Sequence, residues 1–392
     1  MSLRQLACLG GKPQFNEPIP VGQLYFPDWS TYETAMTDIF ERQYYTNHGP
    51  LVQRLEHDLS RFLSVRHVIC VTNATIGLII AAEAMELSGK VLMPGLTFVA
   101  TALSLSRCGL EPIFCDVDPE TLHITTVTLN DAYEEGVSAV LGVNLWGSAA
   151  DTVAVEAWAD SHDLITYWDS AQAMGCSING QALGGNGILE VFSMHATKIV
   201  SAGEGGFITT NDDDMADRLR NIRSSYGARG QATAVKTTNG RMSELQASIG
   251  ILSLQNYEKN VNHNLNLRET YIRGLAKTRG INVEPLHGVS NSNASSLLIR
   301  VNEGGFGVSR DILHKALIAE NILARNYYEP NVHRIDQFAK VRQWNLPHTD
   351  NIQCTLLALP LGSQVSEEAA RSICDLIFQI AEKSEAVVNG LC

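Results

Sequence analysis

The sequence predicts an α/β protein: a large domain built on a mostly parallel seven-stranded sheet between helices, followed by a small C-terminal α+β domain. Three observations carry this. Seven short apolar runs of strand length lie between His67 and Thr210. Helix-length amphipathic stretches separate the first five of them, as βαβ units and a sheet covered on both faces require. Beyond a long helical region, the remaining sequence mixes strands and helices without that alternation. A chain of 392 residues is also too long for one simple core.

Residues 1–30 read as an irregular N-terminal arm, broken by Pro13, Pro18, Pro20 and Pro27. The large domain is expected over 31–262 and the small domain over 263–392. Helical patterns cover 31–43 and 50–63. The strand-like runs are HVICVT (67–72), KVLMP (90–94), EPIFCDV (111–117), SAVLGVN (138–144), LITYWD (164–169), EVFSMH (190–195) and GGFITT (205–210). Helix-like segments lie near 75–88, 97–107, 126–134 and 151–162. One long helical region, 243–277, suits a bridge between domains. SSLLIRV (295–301) reads as a strand of the small domain, with helices near 309–320 and 366–385.

The bulk numbers exclude several function classes. Hydrophobic residues make up 45% and charged residues 18%, the balance of an ordinary globular protein. A net charge of -13 disfavours nucleic-acid binding. No apolar run reaches the roughly 18–20 residues of a membrane helix. The N-terminal stretch lacks the apolar core of a signal peptide. The eight cysteines show no CxxC spacing, and several sit in strand-like runs. They read as buried free thiols, and the cytoplasm is the expected compartment. The eleven histidines show no metal-ligand spacing, so no metal is expected.

In open α/β sheets ligands bind at the carboxyl ends of the strands. Asn73, Ala74 and Thr75 follow the first run, Thr97 and Phe98 the second, and Asp169 ends the fifth. Ser193 and Lys198 follow the start of the sixth. Thr75 at a helix N-terminus is placed to hold an anion. The plainer alternative is that Asn73 or Thr75 caps the helix. Asp169, at the end of an apolar strand, is either a half-hydrated loop residue or a buried carboxylate that needs a cationic partner. Lys198 precedes the Gly-rich turn 203–206. Desolvated there, its amine pKa falls, which suits Schiff-base chemistry; a surface lysine is the simpler reading. Tyr327 and Tyr328 read as core residues, or as contacts to a sugar or base. Neither LGG (9–11) nor LGGNG (183–187) has the spacing of a dinucleotide loop.

Taken together, these residues resemble the DegT/StrS family of sugar aminotransferases, pyridoxal 5'-phosphate (PLP) enzymes of the aspartate aminotransferase-like fold type I. The resemblance runs from about Ile19 to about Pro360. It rests on six segments in order: the stretch from Tyr44 to Thr75, MPGLTFVATA (93–102), FCDVDPETLHI (114–124), WDSAQAMG (168–175), FSMHATKIVSAGEGGFITTND (192–212) and NGRMSELQASIG (239–250).

The resemblance implies roles residue by residue. Lys198 falls where the family forms its Schiff base with PLP, and it shuttles protons as general acid and base. Asp169 falls where a carboxylate keeps the pyridine nitrogen protonated, making the ring an electron sink. Gln172 matches the residue bonding the ring hydroxyl, and Phe98 the aromatic stacked on the ring. Thr75, Ser193 and the Ala74 N–H match phosphate ligands. Asn239 matches an Asn reaching the phosphate from the neighbouring subunit, which implies a homodimer with shared active sites. Arg241, His195, Asn144 and Tyr327 are candidate substrate residues. Three positions depart from the pattern: Ala74 replaces a common Gly, Asn144 a frequent His and Gly240 an aromatic residue. The last two put substrate identity in doubt.

The implied reaction is transfer of an amino group from L-glutamate, leaving 2-oxoglutarate, to a nucleotide-linked keto-6-deoxy sugar. The expected acceptor is the C4 ketone of dTDP-4-keto-6-deoxyglucose, in a pathway such as lipopolysaccharide O-antigen synthesis. A 3-keto sugar or a cyclitol is the alternative. The family's dehydratase branch carries His at the lysine position, and non-catalytic relatives tend to lose the Lys or the Asp. A cysteine desulfurase or lyase of the same fold is a further rival, but no flexible-loop Cys is evident.

Overall fold

The computed structural model describes residues 5–22, 25–224 and 236–391. Its centre is one seven-stranded sheet. In chain order the strands are β1 (His67–Val71), β2 (Lys90–Pro94), β3 (Glu111–Cys115), β4 (Val137–Val143), β5 (Ile165–Asp169), β6 (Glu190–Ser193) and β7 (Gly206–Thr210). Across the sheet they run β1-β7-β6-β5-β4-β2-β3, and β7 alone is antiparallel to its neighbours. All seven apolar runs are therefore strands of one sheet.

Period-two alternation sends side chains to two cores. Ile69, Val71, Val191 and Ile208 join one apolar cluster, and Val68, Cys70, Phe192 and Phe207 the other. Helices α1 (Trp29–Arg42) and α2 (Pro50–Leu63) precede the sheet, and α3 (Ala74–Ala84), α4 (Val99–Arg107), α5 (Thr126–Ala132) and α6 (Thr152–Asp160) make its crossovers. On α2, the spacing of Val52, Leu55, Leu59 and Leu63 places four buried side chains on one face. Each is worth about 1.5–3 kcal/mol when removed from water.

Between the large sheet and the small domain, two helical details differ from the sequence reading. A helix α7 (Asp213–Arg223) follows β7, capped by the Asp212 side chain. Its run of three consecutive aspartates hides the amphipathic pattern, although the acidic first turn and basic last turn suit the helix dipole. The region expected as one helix over 243–277 is two, α8 (Glu244–Gln255) and α9 (Tyr257–Leu275), broken at Asn256. The place expected for the domain boundary, 262/263, thus lies inside α9.

The third core draws on Leu6, Leu267, Leu317, Ile322 and Ile377. It packs on an antiparallel sheet of β8 (Ile281–Val283), β9 (Leu297–Val301) and β10 (Leu356–Leu359). Leu297, Ile299, Leu357 and Leu359 face this core, while Leu298, Leu356 and Ala358 face the cluster of the large sheet. The small sheet is thereby docked on both faces. The N-terminal arm lies on the C-terminal part, pairing Ile19 with Ile322 and Pro20 with Leu323.

The seven described cysteines are free thiols, four of them buried; Cys392 lies outside the described residues. Among the described residues no helix is long and apolar enough to cross a membrane.

Candidate active site

The parallel strands end together, so the segments following them gather at one end of the sheet. Asp169 closes β5 and is only 6% exposed. Its Oδ2 accepts from the Thr101 hydroxyl at 2.9 Å, and its Oδ1 from the Ala171 N–H at 3.1 Å. Burial pushes its pKa up, against those two hydrogen bonds and the charge of Lys198. Lys198 follows β6. Burial pulls its amine down to about 8, and the charge of Asp169 opposes that fall. An amine at that value carries a substantial neutral fraction at physiological pH, which a nucleophile and proton shuttle requires.

At the N-terminus of α3 the capping role falls to Asn73, whose side chain accepts from the Ile76 N–H at 2.9 Å. This leaves the exposed Thr75 hydroxyl and the first N–H groups of the helix, at Ala74 and Thr75, free of the helical ladder. Ala74 opens the helix, so its φ is negative and no glycine is needed there. The close approach is made by Gly206 instead. A Cβ at Gly206 would stand 2.7 Å from the Ala74 nitrogen and 2.8 Å from the Phe192 oxygen. β7 thus begins against the helix tip, beside Ser193, its partner in the ladder. Ser193 is 8% exposed, and its Oγ accepts from the His195 N–H at 3.3 Å. A helix tip, a Cβ-free strand end and two hydroxyls suit a phosphate.

Phe98 stands at the N-cap of α4 and is 56% exposed, an apolar ring left uncovered. Gln172 donates through Nε2 to the Tyr328 hydroxyl at 2.8 Å and accepts through Oε1 from the Trp146 N–H at 3.1 Å. Tyr327 and Tyr328 stack on Trp146, with centroids 6.2 and 5.8 Å away. Tyr328 also lies 6.2 Å from Phe98. The C-terminal part of the chain therefore supplies an aromatic wall, anchored where Arg325 bridges to Ala358 of β10. Burial pushes the Tyr327 phenol up, against the nearby charge of Arg325.

Of the other expected substrate residues, Arg241 donates to Asn239 Oδ1 at 3.1 Å and to Asn47 Oδ1 at 2.8 Å. The Asn239–Arg241 loop is held at the sheet margin by an N–H bond from Thr72 to the Gly240 carbonyl at 2.9 Å. His195 is exposed, and its Nδ1 shares a hydrogen bond with Thr197 Oγ1 at 2.8 Å.

Asn144, another expected substrate residue, lies inside the protein. It is fully buried, donates to Ser170 Oγ at 3.0 Å and accepts from the Ala150 N–H at 3.1 Å. Both ends of its amide are satisfied within the protein. Ser170 passes the chain on to the buried Glu190 Oε2 at 2.6 Å, and Glu190 Oε1 accepts from Gly184, Asn186 and the Asn186 amide. This network braces the residue next to Asp169 from the other face of β5. Sequence reasoning missed Thr101, Ser170, Glu190 and Trp146, because their partners are distant in the chain. Thr101, four residues after Thr97, held the one local signal, a second hydroxyl one turn's spacing along the chain. Among the described residues, no group of three or more His, Cys, Asp or Glu is placed to hold a metal.

The residues present fit pyridoxal phosphate. Lys198 offers an amine with a lowered pKa, Asp169 a buried carboxylate suited to a cationic ring nitrogen, Phe98 an open ring face and α3 with Gly206 an anion cradle.

Comparison with known proteins agrees. A dTDP-4-amino-4,6-dideoxy-D-glucose transaminase of Shigella dysenteriae is 31% identical over 93% of this chain and 99% of its own length. A GDP-perosamine synthase of Vibrio cholerae is 26% identical over 87% of this chain and 94% of its own. Among solved structures, that of DesI in the presence of its TDP-sugar product superposes with a TM-score of 0.93 at 33% identity, covering 98% of both chains. Residues 30–378 match the DegT/DnrJ/EryC1/StrS aminotransferase family. On the strength of that match and of the convergent Lys198 and Asp169, the chain belongs to the DegT/DnrJ/EryC1/StrS aminotransferase family and is a PLP-dependent aminotransferase.

Proposed function

We propose that this aminotransferase moves the amino group of L-glutamate to the C4 ketone of a dTDP-linked 4-keto-6-deoxy sugar. The observation that carries the reading is the partly neutral amine of Lys198 set against the buried carboxylate of Asp169 at the carboxyl end of the parallel sheet. The relatives support the acceptor: the Shigella protein is named for a dTDP-4-amino sugar, and DesI was solved with a TDP-sugar.

PLP, when bound, supplies an aldehyde for amine condensation and a ring that accepts an electron pair from the reacting carbon. The chain does the rest. Lys198 Nζ takes the α-proton of the donor and later returns a proton to the sugar carbon. Asp169 holds a proton at the ring nitrogen. Gln172 and Phe98 fix the ring's orientation, and the tip of α3 with Thr75 and Ser193 binds the phosphate. The aromatic wall of Trp146, Tyr327 and Tyr328 excludes water and offers flat faces to the sugar. Arg241 and His195 are further candidates for the polar parts of the substrate.

The working unit in this reading is a homodimer, in which Asn239 reaches the phosphate of the neighbouring active site. Its exposure and its bond to Arg241 suit a residue presented outward. The same reading places the enzyme in the cytoplasm, where nucleotide sugars for O-antigen or related glycans are made.

The test is a glutamate-coupled screen of dTDP-, UDP- and GDP-linked 3-keto and 4-keto sugars. Turnover of the dTDP-4-keto sugar at least tenfold above the others is expected. Preference for a 3-keto sugar would reassign the ring position.

A further inference from the structure

Asp169 is held from behind by a chain of hydroxyls. Thr101 Oγ1 donates to Asp169 Oδ2 at 2.9 Å, and Thr97 Oγ1 lies 2.8 Å from Thr101 Oγ1. Thr97 and Thr101 are 1% and 0% exposed. An ionised carboxylate only accepts, and each hydroxyl has one proton to give. The direction is therefore fixed: Thr97 donates to Thr101, and Thr101 donates to Asp169. Each donation polarises the next, strengthening the bond at the carboxylate.

The same turn of chain carries Phe98. The Thr101 N–H donates to the Phe98 carbonyl at 3.1 Å, so the exposed ring and the buried hydroxyl are fixed relative to one another. One helical turn thus sets both the surface beside the coenzyme ring and the acceptor for its nitrogen. Resting on the assignment of Asp169 above, we infer that Thr101, backed by Thr97, is a positioning residue that keeps the carboxylate ionised and aimed at the ring nitrogen. This deepens the reading of the site without depending on the identity of the sugar.

The physical reason is a competition for one proton. Asp169 sits where burial favours its neutral form, and its stabilising partners are Thr101, the Ala171 N–H and the charge of Lys198 from the β6–β7 connection. Tyr167, on the same strand, and Tyr328, from the C-terminal part, both lie close enough to feel its charge and carry none of their own at neutral pH. Removing the Thr101 hydroxyl makes the carboxylate a stronger base. The proton shared with the ring nitrogen then moves toward Asp169, and the ring loses its positive charge.

The experiment compares wild type with Thr101→Val, which keeps the shape and loses the hydroxyl, Thr101→Ser, which keeps the hydroxyl, and Thr97→Val. Three properties are read: coenzyme affinity of the apoprotein, the 15N chemical shift of the ring nitrogen in protein loaded with labelled PLP, and kcat. A hydrogen bond to a charged group is worth about tenfold or more in equilibrium. Thr101→Val is expected to bind PLP about tenfold more weakly, to move the 15N resonance toward the unprotonated ring and to lower kcat more than it changes KM. Thr101→Ser should restore all three, and Thr97→Val should shift them in the same direction by less. If Thr101→Val does not fold, Thr97→Val and Thr101→Ser carry the comparison. A folded Thr101→Val or Thr97→Val protein with wild-type 15N shift and coenzyme affinity overturns the inference. Loss of PLP binding in wild type itself would instead refute the assignment of Asp169.

Discussion

Lys198 and Asp169 each favour the charged form of the other. The carboxylate raises the lysine pKa that burial depresses, and the ammonium lowers the aspartate pKa that burial raises. Burial wins at both residues. The result is an amine near neutrality beside a carboxylate that needs a further cationic partner.

Lys198→Ala is expected to lower transamination by about 10²–10⁴-fold, the usual worth of a positioned acid–base group. It also removes the coenzyme adduct that borohydride traps on the protein. Mass spectrometry of reduced, digested protein locates that adduct. A label on any other lysine would displace Lys198 from the mechanism.

The lysine also makes a pH-dependent contribution to the stability of the coenzyme-free protein. Its ordinary value is 10.5 and its folded value about 8. Between these the unfolded chain binds the extra proton, so this group makes stability rise with pH across that window. Asp169, whose pKa burial raises, contributes in the opposite sense. Denaturant melts of apoprotein at pH 8, 9 and 10, for wild type and Lys198→Met, should show wild type gaining on the variant as pH rises. A constant difference would mean the amine titrates alike in both states.

Asn144→Ala strands the Ala150 N–H and removes a donor to Ser170. The expected cost is about 1–3 kcal/mol of stability, measured by urea denaturation, with the KM for the sugar little changed. A raised KM at unchanged stability would return Asn144 to the substrate pocket.

Gly206→Ala drives a methyl group into backbone atoms of Asn73, Ala74 and Phe192. Overpacking of this kind costs about 1–3 kcal/mol. Because the displaced atoms include the helix tip, coenzyme affinity should fall at least tenfold, read by fluorescence titration of apoprotein. Unchanged affinity would separate Gly206 from the phosphate cradle.

The large sheet was legible because its strands are buried on both faces and stand out as continuous apolar runs. Lys198, Asp169, Gln172 and Phe98 were legible because each sits in a contiguous signature. α7 was not, since Asp212–Asp214 masks its periodicity. Nor was the break at Asn256, where neither a proline nor a glycine interrupts the helical pattern.

By itself the sequence determined what is local: the seven strands, the lysine and aspartate at strand ends, and the order of motifs that marks the family. Only the tertiary structure decided that Thr101 reaches Asp169, 68 residues away, that Tyr328 reaches Gln172 across 156, and that Asn144 turns inward to Ser170. The reason is physical. Strand and helix periodicity are set by neighbours along the chain, whereas a hydroxyl finds its acceptor only when packing brings distant segments within hydrogen-bond range.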